Sequence, residues 1–243
     1  LIFLALAVYT RQYYALIYIY CMYIYLIRFN LIIFFKISLI VLTLSLPGFL
    51  LIYFDPGLLK VTFDTKLQNT ILINSSILSF YLIPIFFIFF FLNKEKLLIE
   101  KKKQIFFILI SLIIVLFLSI IFDYNYKQGG GYFLKLSFLS ANNMILFLIT
   151  SIAGITLILN LSSENKENAI LLFLLIFGFS ASSIFQKYYE PMFFFIFFLM
   201  IKSKIPKRLI ENIKNIYYLY FYFGIYLVTA IVNDVYKITK TSL

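Results

Sequence analysis

Apolar runs long enough to cross a lipid bilayer, separated by short charged gaps, recur along almost the whole of this 243-residue chain. They fall at Tyr13–Ile27, Leu31–Phe54, Ile71–Leu92, Ile105–Phe122, Leu139–Leu161, Ala169–Phe185, Pro191–Ile201 and Ile213–Val232. A helix rising ~1.5 Å per residue covers ~30 Å of hydrocarbon in ~20 residues, and most of the runs meet that length. Several are apolar on every side, so a soluble bundle would leave them no face for water. The expected fold is therefore all-α, a polytopic transmembrane helical bundle with about eight membrane segments. The longest gaps, Asp55–Thr70 and Asp123–Phe138, are too short for a soluble domain, so residues 1–243 form one transmembrane domain.

The basic residues give this bundle an orientation. If the gap after the first run is cytoplasmic, thirteen of the 21 Lys and Arg fall on the cytoplasmic side and eight on the other. The acids divide evenly, five to each side, so the bias lies in the basic residues, as the positive-inside rule requires. The net charge of +11 is thereby explained as topology, and no nucleic-acid partner is expected. Lys101, Lys102 and Lys103 are placed to meet anionic headgroups, which makes membrane lipids a partner.

Composition narrows the chemistry. The chain has no His, which removes the usual general base and the imidazole metal ligand. Its single cysteine, Cys21, forms no internal disulfide and no thiolate cluster. No metal and no cofactor is expected. Phe, Tyr, Ile, Lys and Asn are abundant and Trp is absent, a bias suggesting a bacterial source and an inner (cytoplasmic) membrane location. The sequence begins at Leu1 inside an apolar stretch, with no initiator Met and no leader pattern, and is expected to be the C-terminal part of a longer membrane protein.

Charged groups at membrane boundaries are costly and therefore mark candidate sites. Arg11 and Gln12 lie between two apolar stretches on the extracytoplasmic side. A guanidinium there can hold a phosphate bidentately, or can simply end a helix and reach the headgroups. Gln186-Lys187-Tyr188-Tyr189-Glu190-Pro191 forms a tight, charged, aromatic link on the same side. Pro191 is expected to start the next helix, and the link reads either as a site or as a capped hairpin. The segment from Asp123 through Lys127 to Gly129-Gly130-Gly131 offers backbone amides to an anion, or is a flexible loop. Asn233-Asp234 with Lys237 is a weaker candidate, and all of these share the extracytoplasmic face.

The stretch Ala7-Val8-Tyr9-Thr10-Arg11-Gln12-Tyr13-Tyr14 resembles the Arg-Gln element at the extracytoplasmic start of a transmembrane helix in polytopic glycosyltransferases of the C superfamily. The similarity is to the dolichyl-phosphate-glucose-dependent α-1,2-glucosyltransferases and bacterial relatives. Gly129–Ser137 and Gln186–Pro191 are similar to segments of the bacterial members. The resemblance touches about thirty residues. It implies inverting transfer of a sugar from a polyprenyl-phosphate donor to a glycan or lipid acceptor at the outer face. It also implies that Arg11, with Gln12 beside it, contacts the donor phosphate, that Lys127 and Lys187 add charge, that Tyr188 and Tyr189 stack on sugar, and that Glu190 belongs to the same substrate-binding set. The catalytic carboxylate of that family lies in the first extracytoplasmic loop, upstream of residue 1, and no His-containing C-terminal motif is present here.

Two other functions fit the residues. A lipid-linked oligosaccharide polymerase or flippase also gathers cations at the outer face, though a polymerase is expected to carry a long outer loop. A small-molecule transporter is expected to break helices in paired halves; Pro47-Gly48 and Pro84 are expected to break two runs, with no matching second half.

Overall fold

A computed structural model describes residues 15–55, 66–92, 101–178 and 184–241. Among these the chain is all-helical, with no strand. The helices are α1 (Ala15–Arg28), α2 (Leu31–Phe54), α3 (Leu67–Phe87), α4 (Lys101–Ile120), α5 (Gly131–Ala141), α6 (Ile145–Glu164), α7 (Lys166–Phe177), α8 (Glu190–Phe195), α9 (Lys204–Glu211) and α10 (Ile213–Thr241). Single π-helical turns extend α3 over Ile88–Leu92 and α8 over Ile196–Met200. Five helices (α2, α3, α4, α6 and α10) are long and apolar enough to cross a membrane. α1 and α7 are shorter, at 14 and 12 residues. The protein is membrane-embedded.

α3 is the central post. Nearly every residue from Asn69 to Phe86 is buried, and α6 is its chief partner, with α4, α5 and α7 around it. Helices in lipid gain little from hiding apolar surface, so close approach of small residues must hold them together. Gly154 of α6 supplies that approach: a Cβ there would stand 2.0 Å from the Ser75 carbonyl oxygen and 3.2 Å from Ser79 Cβ. Hydrogen bonds tie the same helices. Ser76 and Thr150 share one at 2.9 Å, Ser151 Oγ donates to the Leu72 carbonyl at 3.1 Å, and Asn74 Nδ2 donates to the Ile176 carbonyl of α7 at 2.6 Å. At the other extreme, α2 has no buried residue among those described and packs chiefly on α1. Its Ser38 and Ser45 hydroxyls return to the carbonyls of Phe34 and Val41 four residues earlier, which satisfies them without a partner helix.

Three boundaries differ from the sequence expectation. Neither Pro47 nor Pro84 breaks its run; both sit inside continuous helices. A membrane helix tolerates the lost donor because the rest of its backbone stays paired. The Leu139–Leu161 run is divided: α5 ends at Ala141 and α6 starts at Ile145. Asn142 adopts the left-handed conformation at φ 48° and donates its amide to Phe138, while the Asn143 side chain accepts the Ile145 amide. Ala169–Phe185 begins earlier, at Lys166, where Asn165 caps Glu167, and its helix ends at Phe177.

The loops gather at two ends. Arg28, Glu167 and Lys202 meet at one, with Nη2 and Nζ at 2.9 and 2.8 Å from the Glu167 carboxylate. Asn168 clamps the Lys202 backbone from both sides there, donating to its carbonyl at 3.0 Å and accepting its amide at 2.8 Å. At the other end Lys66 pairs with Asp123 at 3.0 Å, and Asn69 clamps the Asp123 backbone at 2.6 and 3.2 Å. Each end joins gaps that the charge count assigns to one side.

Candidate functional site

The glycine tract and the Gln186–Glu190 turn, far apart in sequence, form one junction at the Lys66 end. Gly129, Gly130 and Gly131 all have positive φ, at 145°, 88° and 81°. A Cβ on Gly129 would lie 2.6 Å from the Ile184 carbonyl oxygen, so only glycine lets the two backbones touch. The Gly130 amide then donates to that carbonyl at 2.7 Å. One residue into α5, the Tyr132 amide donates to Gln186 Oε1 at 2.8 Å. The Ile184 amide donates to the Tyr124 hydroxyl at 3.1 Å. Burial pushes the Tyr124 phenol up, and the Ile184 N–H partly offsets this. The tract is thus a fixed contact. Its Gly130 donor serves the neighbouring loop, where the sequence suggested a flexible loop or amides aimed at an anion.

α3 supports this junction from below. The buried Tyr81 hydroxyl lies 3.4 Å from the Gln186 carbonyl oxygen and 3.4 Å from Glu190 Oε1. Its ring stacks on Phe193 at 5.0 Å between centroids. Tyr189 hangs the turn from α7: its side chain is 0% exposed and its hydroxyl donates to the Leu175 carbonyl at 3.3 Å. Helix α8 then starts at Glu190 with Pro191 in its first turn, as the sequence suggests, since proline needs no amide partner there.

The candidate residues separate as follows. Arg11 and Gln12 lie outside the described residues. Lys127 is exposed, in a short 3₁₀ turn capped by the Asn125 side chain, two residues before Gly129. Lys187 is exposed, its ammonium 5.4 Å from the centre of the Phe185 ring. Tyr188 sits in a 3₁₀ turn with Gln186 and Lys187. Tyr189 faces inward as a support, and Glu190 is half-buried beside Tyr81. Asn233, Asp234 and Lys237 lie on α10.

The sequence missed Tyr81 as a part of this end; Tyr124, Tyr132 and Gln186 lie inside its candidate segments, but without the contacts that join the two. The available signal was the run of Asn69, Thr70, Asn74, Ser75, Ser76 and Ser79 before Tyr81, a polar set that lipid would not tolerate and that marks α3 as interior. At the opposite end, hydrogen bonds from Lys202 and Arg28 hold the Glu167 carboxyl below the usual range. No known protein family, curated protein or solved structure matches the chain.

Proposed function

We propose that this chain is the membrane domain of a glycosyltransferase that moves a sugar from a polyprenyl-phosphate donor to a glycan or lipid acceptor at the extracytoplasmic face. The five long helices and the shorter apolar segments make about eight membrane passages, and the junction of glycine tract and turn faces outward. The protein resides in a bacterial inner membrane. One observation carries the reading: the Tyr132 amide on Gln186 Oε1 and the Gly130 amide on Ile184 fuse two loops, so that Lys127, Lys187 and Glu190 stand on one rigid platform.

The chemistry follows from these groups. The acceptor oxygen forms a bond to the anomeric carbon as the bond from that carbon to the phosphate oxygen breaks, and the acceptor's hydroxyl proton passes to a general base, the carboxylate that the resemblance implies. Negative charge grows on the leaving phosphate, and Lys127 and Lys187 stabilise it there, a role that the resemblance also implies for Arg11 and Gln12. The resemblance implies that Tyr188 stacks on the sugar, while Tyr189 holds the turn in place. A transporter lining is the rival use of the polar side chains on α3. Asn74, Ser76 and Ser79 instead bond to protein neighbours, which suits a structural role.

The test is transfer by the complete protein in lipid nanodiscs, using a radiolabelled polyprenyl-phosphate hexose and lipid or glycan acceptors. Lys127→Ala with Lys187→Ala is expected to lower transfer roughly tenfold or more, equivalent to about 1.4 kcal/mol of transition-state stabilisation. Full transfer by the double variant overturns the platform's role, and no transfer by the parent overturns the function.

A further inference from the structure

Gln186 is 6% exposed, and its two side-chain ends are used unequally. Oε1 accepts the Tyr132 amide at 2.8 Å, whereas Nε2 has no hydrogen-bond partner among the described residues. A buried amide donor left unmade is costly, and native structures keep such groups mainly where a ligand or water completes them. Close by, Glu190 is half-buried and, among the described residues, receives only a long contact from the Tyr81 hydroxyl, at 3.4 Å. That leaves most of the carboxylate's acceptor capacity open to a ligand. Tyr226 of α10 lies within electrostatic range of both Glu190 and the Tyr132 phenol, and its ring meets Tyr132 edge to face at 5.2 Å. Both tyrosines are half-buried.

The polarity of these groups selects the ligand. An unmade N–H donor disfavours a cation, and a carboxylate disfavours a phosphate. A lipid chain would leave both unsatisfied. A hydroxyl donates and accepts at once, so neighbouring hydroxyls on one ring satisfy an amide donor and a carboxylate together. Tyrosine rings supply the apolar surface for the ring's C–H face. We infer that Gln186, Glu190, Tyr81, Tyr132 and Tyr226 form a saccharide subsite, in which Glu190 accepts from one sugar hydroxyl and Gln186 Nε2 donates to another. This deepens the glycosyltransferase reading and rests on it only for the origin of the sugar.

The complete protein in lipid nanodiscs, free of sugar-based detergent, is titrated with methyl glycosides of glucose, mannose and galactose and followed by saturation-transfer NMR. The parent is expected to bind at least one of them. Glu190→Gln keeps the side chain's size but loses the charged acceptor, and Tyr81→Phe removes the hydroxyl that orients it. Each is expected to weaken binding about tenfold while the unfolding temperature stays close to the parent's. Lys66→Ala, in the exposed ion pair at the same end, is expected to bind like the parent. Equal binding by Glu190→Gln and Tyr81→Phe overturns the subsite, as does a parent that binds none of the glycosides or binds choline in their place. Glycoside binding without transfer leaves the subsite standing and removes the glycosyltransferase reading. Transfer with unchanged KM in Glu190→Gln does the reverse.

Discussion

Tyr189 and Glu190 are adjacent in the chain, yet one is sealed in the bundle and the other is half-buried at its edge. Sequence adjacency grouped them as one aromatic, charged feature. The turn between Gln186 and Pro191 separates them, because a 3₁₀ turn running into a helix rotates successive side chains by roughly 100–120°. The glycine tract shows a similar limit. Three consecutive glycines reveal that side chains are excluded, but whether a ligand or another loop takes the space depends on a segment some fifty residues away. Gly129→Ala is the decisive substitution, since it adds strain at φ 145° and a clash with the Ile184 carbonyl. It is expected to cost about 2 kcal/mol, read as a lower unfolding temperature in detergent with helix content retained by circular dichroism. An unchanged unfolding temperature would mean that the two loops do not touch.

Among the helices, legibility followed hydrophobic length. The ends of α2 at Leu31 and Phe54 are those of its apolar run, because a helix with no buried residue among those described lets composition alone define the element. α3 also emerged as one run, though hydropathy gave no hint that it is the most enclosed of the long helices. Its asparagines and serines pointed that way, and their meaning depended on partners in α6 and α7. The division between α5 and α6 was hidden because Asn142 and Asn143 terminate helices through backbone geometry, which a hydrophobic pattern does not record. The α3–α6 crossing yields its own prediction. Gly154→Ala places a methyl group against the Ser75 backbone, which cannot rotate away as a side chain can. A destabilisation of about 1–3 kcal/mol is expected, measurable by unfolding in mixed micelles of rising dodecyl sulfate content. Parent-like resistance would show that the two helices stand further apart.

For the molecule as a whole, the count of basic residues and the meeting of loops are separate lines of reasoning that agree. Arg28, Glu167 and Lys202 come from three gaps that the charge bias assigns to one side, and they converge. Lys66 and Asp123 do the same on the other. Reporter fusions after Lys101 and Lys204 are therefore expected to report cytoplasm, and fusions after Lys127 and Glu190 the outside. Reversed readings at both pairs would place Lys127 and Lys187 on the inner side and overturn the proposed use of a lipid-linked donor at the outer face.

The enclosure of α3 also bears on how the protein is made. Asn74 finds its acceptor 102 residues later, in Ile176, and Ser76 finds Thr150 74 residues later. With ribosomes adding ~5–20 residues per second, α3 waits roughly 5–20 s between its own synthesis and the arrival of α7. Ser76 waits for α6 and Asn74 for α7, so for part of that interval these side chains lack their native partners. The insertion machinery, or a temporary pairing with helices made earlier, must hold α3 back from free lipid until the chain that encloses it exists.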